Sequence, residues 1–431
     1  MVILLAGLAG GAYTLLGHFN ENIQQDDITS LLGNQPVDTH PQAENILVLG
    51  SDSRQGLGGQ YGQNLVTDQS DTTMIVHVPA DRKWAEVMSI PRDSWVKIPA
   101  CEMGDGQLSS PTQFKINEAF ALGNLDGNRT ALGVACTVKT LEQDTGIHID
   151  HFIVVNFTGF QSMVSALGGV PECNPTPIND PNSHLVLSAG RHLLTPKQAL
   201  GYVRARYTLG DGSDIDRIGR QQAFMSSLIS RVQGELYNPV AVYRFLDAAT
   251  SALTIDKQLG GITGLYDLGE SLRSIPRQDI AFFTLPNFPR GEVVPGDVAN
   301  VVWTQPEDGE IFRSFINDVP ASPSLFGPAV SATGSPSAPL NPSGSPNPGA
   351  SPNPGAPANP SAPVNPGAFL QPRATVGPVA NPTTAASPGG TAPASPGVTG
   401  SSAVASPTKP AKPAPSVSLQ ARTASQSICD G

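Results

Sequence analysis

Residues 321–420 limit how much of this chain can fold. They contain no Asp or Glu and hold 23 of the chain's 41 prolines, with Ala, Ser, Gly, Asn and Thr making up most of the rest. Such a composition buries too little apolar surface to offset the entropy of ordering, and proline favours extended polyproline II. We therefore expect a disordered spacer over residues 321–420, followed by a Cys-containing segment at 421–431.

The rest of the chain predicts one globular domain over residues 45–320. Residues 1–320 hold 21 Lys or Arg against 35 Asp or Glu, a net charge of −14. Such a domain is a poor nucleic-acid binder, because Lys and Arg contacts to phosphates supply most of the non-specific affinity. We expect no nucleic-acid partner, and any anion site has to be a local concentration of arginines.

The first 20 residues are mostly apolar and contain no Asp, Glu, Lys or Arg. About 20 apolar residues span a bilayer, with about 17 as a lower limit, so residues 1–20 predict a marginal single-pass membrane anchor, with residues 21–44 as a linker. A secretory signal peptide and a buried core helix are the alternatives. The basic flank that usually sets orientation is missing, and one explanation is that the anchor begins upstream of Met1. An anchor and a signal peptide both place the domain outside the cytoplasm.

The four cysteines agree with an exported chain. No Cys-x-x-Cys pair is present, so the sequence does not predict a zinc site. An even number of cysteines in an exported protein indicates disulfides. We favour Cys101–Cys136 and Cys173–Cys429, with four unpaired thiols as the alternative. The second pairing would hold residues 421–431 against the domain.

Strand and helix patterns alternate along the domain. Short apolar runs predict strands near residues 45–50, 73–78, 85–90 and 152–157. Thr195-Pro196 has the form of a helix start, and the apolar spacing between Ile215 and Val232 fits a helix. This alternation predicts an α/β fold, a sheet covered by helices. The motifs described next end near residue 232, and we interpret residues 233–320 as an appended α/β part of the domain.

Polar motifs collect at the ends of the predicted strands. Gly-Ser-Asp-Ser-Arg at 50–54 follows the first strand, Ser-Asp-Thr-Thr-Met at 70–74 enters the second, and Ser-Ile-Pro-Arg-Asp at 89–93 leaves the third. Residues 204–220 then hold four arginines, whose planar forks suit phosphate oxygens. Two carboxylates beside such a cluster would repel phosphate unless a cation bridges them, and Asp52 and Asp71 are candidate Mg²⁺ ligands. The alternative is that the arginines pair with Asp211, Asp214 and Asp216.

Taken in order, these motifs, together with Lys115-Ile-Asn-Glu-Ala and the Arg-x-Arg…Asp-x-x-Arg-x-x-Arg-Gln segment, resemble the LytR–CpsA–Psr family over residues 45–232. The resemblance implies a three-layer α/β/α fold with a central mixed sheet. It also implies a hydrophobic pocket for a polyprenyl chain, with the pyrophosphate at its mouth.

The resemblance also implies roles for individual residues. The residues expected to be catalytic are Asp71, Arg92, Asp93, Arg204 and Arg206, with Asp93 as the choice for general base. Those expected at the pyrophosphate are Arg54, Arg92, Lys115, Arg204, Arg206, Asp214, Arg217, Arg220 and Gln221. Asp52 and Asp71 would bind Mg²⁺, for which Mn²⁺ is a possible substitute. One departure is Gln69, at a position where many family members carry an arginine.

The function implied is transfer of a glycopolymer from a polyprenyl-pyrophosphate carrier to peptidoglycan through a phosphodiester bond, at the outer face of the cell membrane. Two alternatives are a lipid-pyrophosphate hydrolase and a non-catalytic carrier-binding protein of wall assembly. Neither Gly-x-Ser-x-Gly nor Gly-x-x-x-x-Gly-Lys-Ser/Thr occurs, so the sequence supports neither a serine-hydrolase elbow nor a P-loop.

Overall fold

The architecture is that of a computed structural model, which describes residues 14, 16–51, 69–125, 129–206, 214–235, 238–322, 325 and 421–425. By backbone contacts, all of the described residues belong to one compact unit. Most of the predicted anchor and nearly all of the predicted spacer lie outside the described ranges, so the predicted domain boundaries stay predictions.

A mixed sheet forms the centre of the described unit. Its strands are β1 (Gln24–Asp26), β2 (Glu44–Ser51), β3 (Ser70–Val78), β4 (Ala85–Ile90), β9 (His151–Asn156), β14 (Leu253–Asp256), β15 (Ile280–Thr284) and β18 (Arg422–Thr423). Their order across the sheet is β1-β14-β9-β2-β3-β4-β15-β18. β2 runs parallel to β9, and β4 runs parallel to β15, whereas β3 is antiparallel to both its neighbours. The predicted central mixed sheet is confirmed.

The described helices are α1 (Thr29–Leu32), α2 (Ile116–Gly123), α3 (Thr130–Thr145), α4 (Phe157–Ala166), α5 (Pro196–Arg204), α6 (Asp214–Glu235), α7 (Pro239–Thr250), α8 (Gly261–Ser274) and α9 (Glu307–Ile316). The remaining strands pair outside the sheet and are β5 (Trp95–Ile98), β6 (Glu102–Gly104), β7 (Gln107–Leu108), β8 (Thr112–Lys115), β10 (Val170–Asn174), β11 (Ile178–Asp180), β12 (Leu185–Leu187), β13 (Gly190–Leu194), β16 (Asn287–Pro289) and β17 (Val301–Trp303).

Helices cover both faces of the sheet because its strands are apolar on both sides. In β3, Ile75 packs into a core shared with α2, α3 and α9, whereas its neighbour Met74 packs into a core shared with α6 and α8. In β15, Phe283 and Phe282 divide in the same way. Successive side chains of a strand point to opposite faces, so this alternation confirms the predicted helix–sheet–helix layering.

Local sequence explains where the helices near the site begin. The Thr195 hydroxyl accepts from the Gln198 backbone N–H while the Gln198 side chain accepts from the Thr195 N–H, a complete capping box ahead of Pro196. The Asn156 side chain caps α4 by accepting from the Gly159 N–H at 2.8 Å. These caps set the residues at which α4 begins after β9 and α5 begins after β13.

Cys101 and Cys136 are joined by a disulfide, with Cα atoms 5.2 Å apart. Cys173 is also disulfide-bonded, but Cys429 lies outside the described ranges, so its pairing with Cys173 stays a prediction. Among the residues that the structure describes, no helix has the length and apolar character needed to cross a membrane.

A close helix contact at Gly123 yields a stability prediction. A Cβ at Gly123, the last residue of α2, would lie 2.3 Å from the Leu132 carbonyl carbon and oxygen in α3, whereas a Cβ at Gly269 of α8 would meet nothing within 4 Å. We expect Gly123→Ala to lower the free energy of unfolding by about 1–3 kcal/mol through overpacking. Gly269→Ala, the matched control, should raise it by up to ~1 kcal/mol through helix propensity. Urea unfolding measures both, and equal effects would contradict the close contact.

Candidate active site

The sheet brings the predicted strand-end motifs together. β2 and β3 are antiparallel, as are β3 and β4, so the carboxyl ends of β2 and β4 flank the amino end of β3. Asp71 therefore lies beside Gly50 and close to Arg92, just beyond β4. β9, parallel to β2, places Asn156 at the same edge.

A cavity of about 450 Å³ opens at this edge, within the ~300–1,000 Å³ typical of ligand pockets. Most of its wall is apolar, contributed by the sheet and by α4, α5 and α6. Representative apolar lining residues are Val48, Met74, Ile153, Phe160, Phe224 and Leu228. The charged residues of the wall are Asp71, Arg92, Arg204, Arg206 and Arg217. The cavity thus combines an apolar wall with a cluster of four arginines.

Arg92 is held by carboxylates on two elements. Its Nη1 donates to Asp71 Oδ1 at 2.6 Å, its backbone N–H donates to Asp214 Oδ2 at 3.3 Å, and its Nε lies 3.7 Å from Asp214 Oδ1. Burial lowers the pKa of Arg92, but Asp71, Asp214 and Asp93 outweigh it and the pKa is raised. Arg92 therefore stays charged, and its position is set from both β3 and α6.

Arg217 is the most deeply buried cation of the cluster. It is 3% exposed, its Nη2 lies 2.5 Å from Asp214 Oδ1, and the same nitrogen donates to the Asp71 backbone carbonyl at 3.1 Å. Burial, together with the neighbouring Arg92 and Arg206, lowers the pKa of Arg217, although Asp214 and Asp71 oppose the shift. Asp214 thus contacts two arginines at once.

The remaining arginines lie where α5 meets α6. The Arg204 guanidinium stacks over the Phe157 ring, 4.7 Å from its centroid. The Arg206 N–H donates to Asp180 Oδ2 at 2.6 Å. Across the junction, Gln221 Nε2 donates to the Val203 carbonyl at 3.1 Å and Arg220 Nη2 donates to the Ala205 carbonyl. Arg220 ties the two helices together and does not line the cavity.

The cluster retains unused donors. Arg92 Nε, Arg206 Nε and Arg217 Nε are buried and have no hydrogen-bond acceptor among the described residues. Buried donors without acceptors are costly. Among the described residues of the cavity wall, four arginines lie with one carboxylate, that of Asp71. An anion with several oxygen acceptors would satisfy both the donors and the charge.

Two further predicted residues, Asp93 and Lys115, lie outside the cavity wall, as does Gln69. Asp93 Oδ1 accepts from Lys115 Nζ at 2.6 Å, so the predicted general base is held in an ion pair. Gln69 accepts from Asn117 Nδ2 at 3.2 Å and donates to Glu118 at 3.4 Å, which attaches it to the first turn of α2. In this chain the Gln69 side chain is hydrogen-bonded to α2 and adds no charge to the cavity.

Asp71 has the chemistry expected of one of the two predicted Mg²⁺ ligands. Burial raises its pKa, but Arg217 and Arg92 outweigh burial and lower it, so the carboxylate is ionised in the cavity wall. An ionised carboxylate beside a phosphate site is a donor that Mg²⁺ accepts. The second predicted ligand, Asp52, and the predicted pyrophosphate contact Arg54 lie outside the described ranges. Within those ranges, no group of three or more His, Cys, Asp or Glu could hold a metal ion.

Several cavity residues were not predicted from the sequence. They include Asn156, Phe157, Asn182 and Ser183. Asn156 and Phe157 are the last two residues of a predicted strand, and this strand-end position is the signal that could have identified them. Asn182 and Ser183 belong to the β11–β12 connection, and no local pattern links that hairpin to the cavity.

Comparison with known proteins decides the family. The profile of the LytR_cpsA_psr family matches residues 16–310. The chain belongs to this family. The crystal structure of a Streptococcus agalactiae protein has the same fold, with a TM-score of 0.50 and 21% identity over 65% of this chain and 90% of that one.

Two relatives in the family carry functional names. LcpB of Corynebacterium glutamicum, named a probable cell wall biosynthesis protein, is 35% identical over 49% of this chain and 48% of its own length. The chain therefore spans about half the length of that relative. TagT of Bacillus subtilis, named a polyisoprenyl-teichoic acid–peptidoglycan teichoic acid transferase, is 28% identical over 63% of this chain and 80% of its own length.

The buried Asp214 predicts a large stability effect. Removing one partner of a buried ion pair costs about 3–5 kcal/mol, because the other charge stays buried. Asp214→Asn should lower the free energy of unfolding by that amount, because it leaves the buried Arg217 without its carboxylate partner. The control Asp267→Asn, on the exposed side of α8, should change the free energy of unfolding by less than ~0.5 kcal/mol. Urea unfolding of the two variants checks this, and similar values for both would contradict the role of Asp214.

Proposed function

We propose that this protein is a phosphotransferase of the cell wall, which moves a glycopolymer from a polyprenyl-pyrophosphate carrier to peptidoglycan. One observation carries the proposal: an apolar cavity meets four arginines, and the buried Nε donors of Arg92, Arg206 and Arg217 lack acceptors among the described residues. A polyprenyl pyrophosphate has the matching chemistry, because its hydrocarbon chain favours the apolar wall and its phosphate oxygens accept from guanidinium groups. The name of TagT supports this choice of carrier and acceptor.

In the proposed reaction, a sugar hydroxyl of peptidoglycan attacks the sugar-linked phosphorus of the carrier. A new P–O bond forms, the bridging P–O bond breaks, and polyprenyl phosphate leaves with the bonding electrons. Charge grows on the leaving phosphate, where Arg92, Arg204 and Arg217 would stabilise it by pre-set electrostatics. The hydroxyl proton needs an acceptor, and the Asp93 assignment stays a prediction.

We further propose that Asp71 and Asp52 would hold Mg²⁺, for which Mn²⁺ would substitute. When bound, the cation would offset the negative charge of the pyrophosphate. Asp71 itself keeps Arg92 in place through the 2.6 Å hydrogen bond. The proposal also includes the membrane anchor of residues 1–20, which would hold the domain at the outer membrane face, where carrier and peptidoglycan meet.

The arginine cluster predicts the effect of substitutions on transfer. With a polyprenyl-pyrophosphate-linked glycan as donor, labelled glycan attached to peptidoglycan measures the rate. Arg92→Ala and Arg217→Ala should each lower kcat/KM by about 100-fold or more, as loss of one transition-state donor does in other enzymes. Arg244→Ala, the matched control, removes an exposed arginine of α7 and should leave the rate unchanged.

The same assay separates the three functions that the sequence leaves open. Transfer that requires peptidoglycan supports the phosphotransferase. Phosphate release at the same rate with and without peptidoglycan would replace it with a hydrolase. Tight donor binding with no turnover, in Mg²⁺ or Mn²⁺, would leave a carrier-binding protein of wall assembly.

A further inference from the structure

The hairpin formed by β11 and β12 is packed against α5. Its apolar side chains Ile178 and Leu185 belong to the same core cluster as Tyr202 of α5. The contact is close, because a Cβ on Gly201 of α5 would lie 3.1 Å from both the Ser183 carbonyl oxygen and the Leu185 Cβ. The hairpin is therefore a fixed neighbour of the helix that leads into the arginine cluster.

Asp180 is the last residue of β11 and is 1% exposed. One carboxylate oxygen, Oδ1, accepts from the backbone N–H groups of Asn182 at 2.9 Å and Ser183 at 3.1 Å, which closes the turn of the hairpin. The other oxygen, Oδ2, accepts from the Arg206 N–H at 2.6 Å. Asn182, Ser183 and Arg206 all line the cavity. A single buried carboxylate thus joins the two chain segments that form this part of the cavity wall.

The peptide group between Ala205 and Arg206 is held from two sides. Its N–H belongs to Arg206 and donates to Asp180, whereas its carbonyl belongs to Ala205 and accepts from Arg220 Nη2 of α6. A peptide group is planar and includes the Cα of the residue that follows. Fixing both its donor and its acceptor therefore also fixes the position of the Arg206 Cα, from which the side chain extends to the cavity.

The hydrogen bonds of α5 do not reach this peptide group. The helix ends at Arg204, and its last backbone hydrogen bond runs from the Ala205 N–H to the Gly201 carbonyl at 2.9 Å. Ala205 then turns to an extended conformation, with ψ of 137°. The Arg206 N–H has to find its acceptor elsewhere, and Asp180 supplies one with a full negative charge, which gives a stronger bond than a neutral acceptor does.

The Arg206 guanidinium has a use for this support. Its Nε is buried and has no acceptor among the described residues. Groups that bind a ligand have to be held within about 0.5 Å of their productive geometry. A long arginine side chain meets that condition only if the backbone from which it starts is fixed.

We propose that Asp180 is a positioning residue of the arginine site, which acts through the backbone of Arg206. The ligand in this inference rests on the proposed function, whereas the hold on Arg206 can be measured without ligand. Asp180 itself does not line the cavity. Its role is to keep the Arg206 Cα and the turn at Asn182 and Ser183 together in one part of the cavity wall.

Calorimetry of geranylgeranyl pyrophosphate binding to the full chain tests the proposal. In Asp180→Asn the amide oxygen can keep the two turn bonds, but the amide NH2 then faces the Arg206 N–H, donor against donor. We expect the Kd to rise roughly tenfold, the fold-change that one hydrogen bond to a charged group is worth. A Kd within about twofold of the unchanged chain would overturn the proposal.

Asp81→Asn is the matched control. Asp81 also closes a hairpin turn, by accepting from the Lys83 N–H at 3.0 Å, but it lies beyond the carboxyl end of β3 while the cavity lies at the amino end. Its Kd should stay within about twofold of the unchanged chain.

A double-mutant cycle with Arg206→Ala separates positioning from a general loss of structure. Arg206→Ala keeps the backbone N–H and removes the guanidinium, so Asp180→Asn should change the Kd by less than about twofold in that background. An equal rise in both backgrounds would mean that Asp180 acts on the fold as a whole and would overturn the proposal. If Asp180→Asn fails to fold, Asp180→Ser replaces it, because a single hydroxyl can close the turn but cannot also serve the Arg206 N–H. The same results then decide.

Hydrogen exchange of the ligand-free chain separates this proposal from the proposed function. Amides of residues 202–206 should exchange faster in Asp180→Asn than in the unchanged chain, whereas Asp81→Asn should leave their exchange unchanged. If the unchanged chain binds no pyrophosphate probe, the proposed function fails, while faster exchange still supports the hold of Asp180 on Arg206. Equal exchange in the two variants overturns the proposal whatever the ligand.

Discussion

The buried ion pair between Asp214 and Arg217 is the interaction on which the site depends. Asp214 opens α6, accepts from the Arg92 backbone just beyond β4, and lies against the Arg217 guanidinium. These contacts attach the start of α6 to the residues that follow β4, and α6 forms part of the wall of the apolar cavity. A charge pair placed this deeply costs desolvation energy. In return, the arginines around this pair keep Nε donors without acceptors among the described residues, and these arginines line the same cavity.

Among the described residues, the four arginines of the cavity wall outnumber the carboxylate of Asp71 that lines it with them. Asp71 and Asp214 orient arginines as well as compensating part of their charge. In water such a cluster would be solvated and weakly attractive. In the apolar cavity of about 450 Å³ the arginine donors are already oriented, at low cost. This is the condition for the binding that we propose, in which a pyrophosphate meets the arginines and its hydrocarbon tail lies against the apolar wall.

The sequence predicts the local elements well because local physics specifies them. The apolar run 85–90 coincides with β4, and Thr195-Pro196 begins α5 with a capping box. The family resemblance assigns Asp71 and Arg92 to one site, and the antiparallel pairing of β3 and β4 is what brings these strand ends together in the structure. The helix over 215–232 extends to Asp214–Glu235.

The long-range parts escape such a prediction for physical reasons. β18 has only two residues, too few for any periodicity, and its partner β15 is 140 positions away. The sequence alone shows Gln69 only as a missing positive charge. Its hydrogen bonds to Asn117 and Glu118 become apparent only in the structure. The stacking of Arg204 on Phe157 depends on how α5 lies across α4, and no spacing in the sequence encodes that crossing.

The position of β18 has a consequence for how the molecule behaves among copies of itself. A sheet that ends in an open strand offers a row of free amides and carbonyls, on which a second molecule can add its own strand. β15 is apolar and would be such a template, whereas β18 is short and ends its pairing after two residues. At the opposite edge, the three-residue β1 with Asp26 has the same character. Two brief polar segments, far apart in the chain, therefore terminate the sheet and discourage edge-to-edge aggregation at the crowded cell surface where we propose it works.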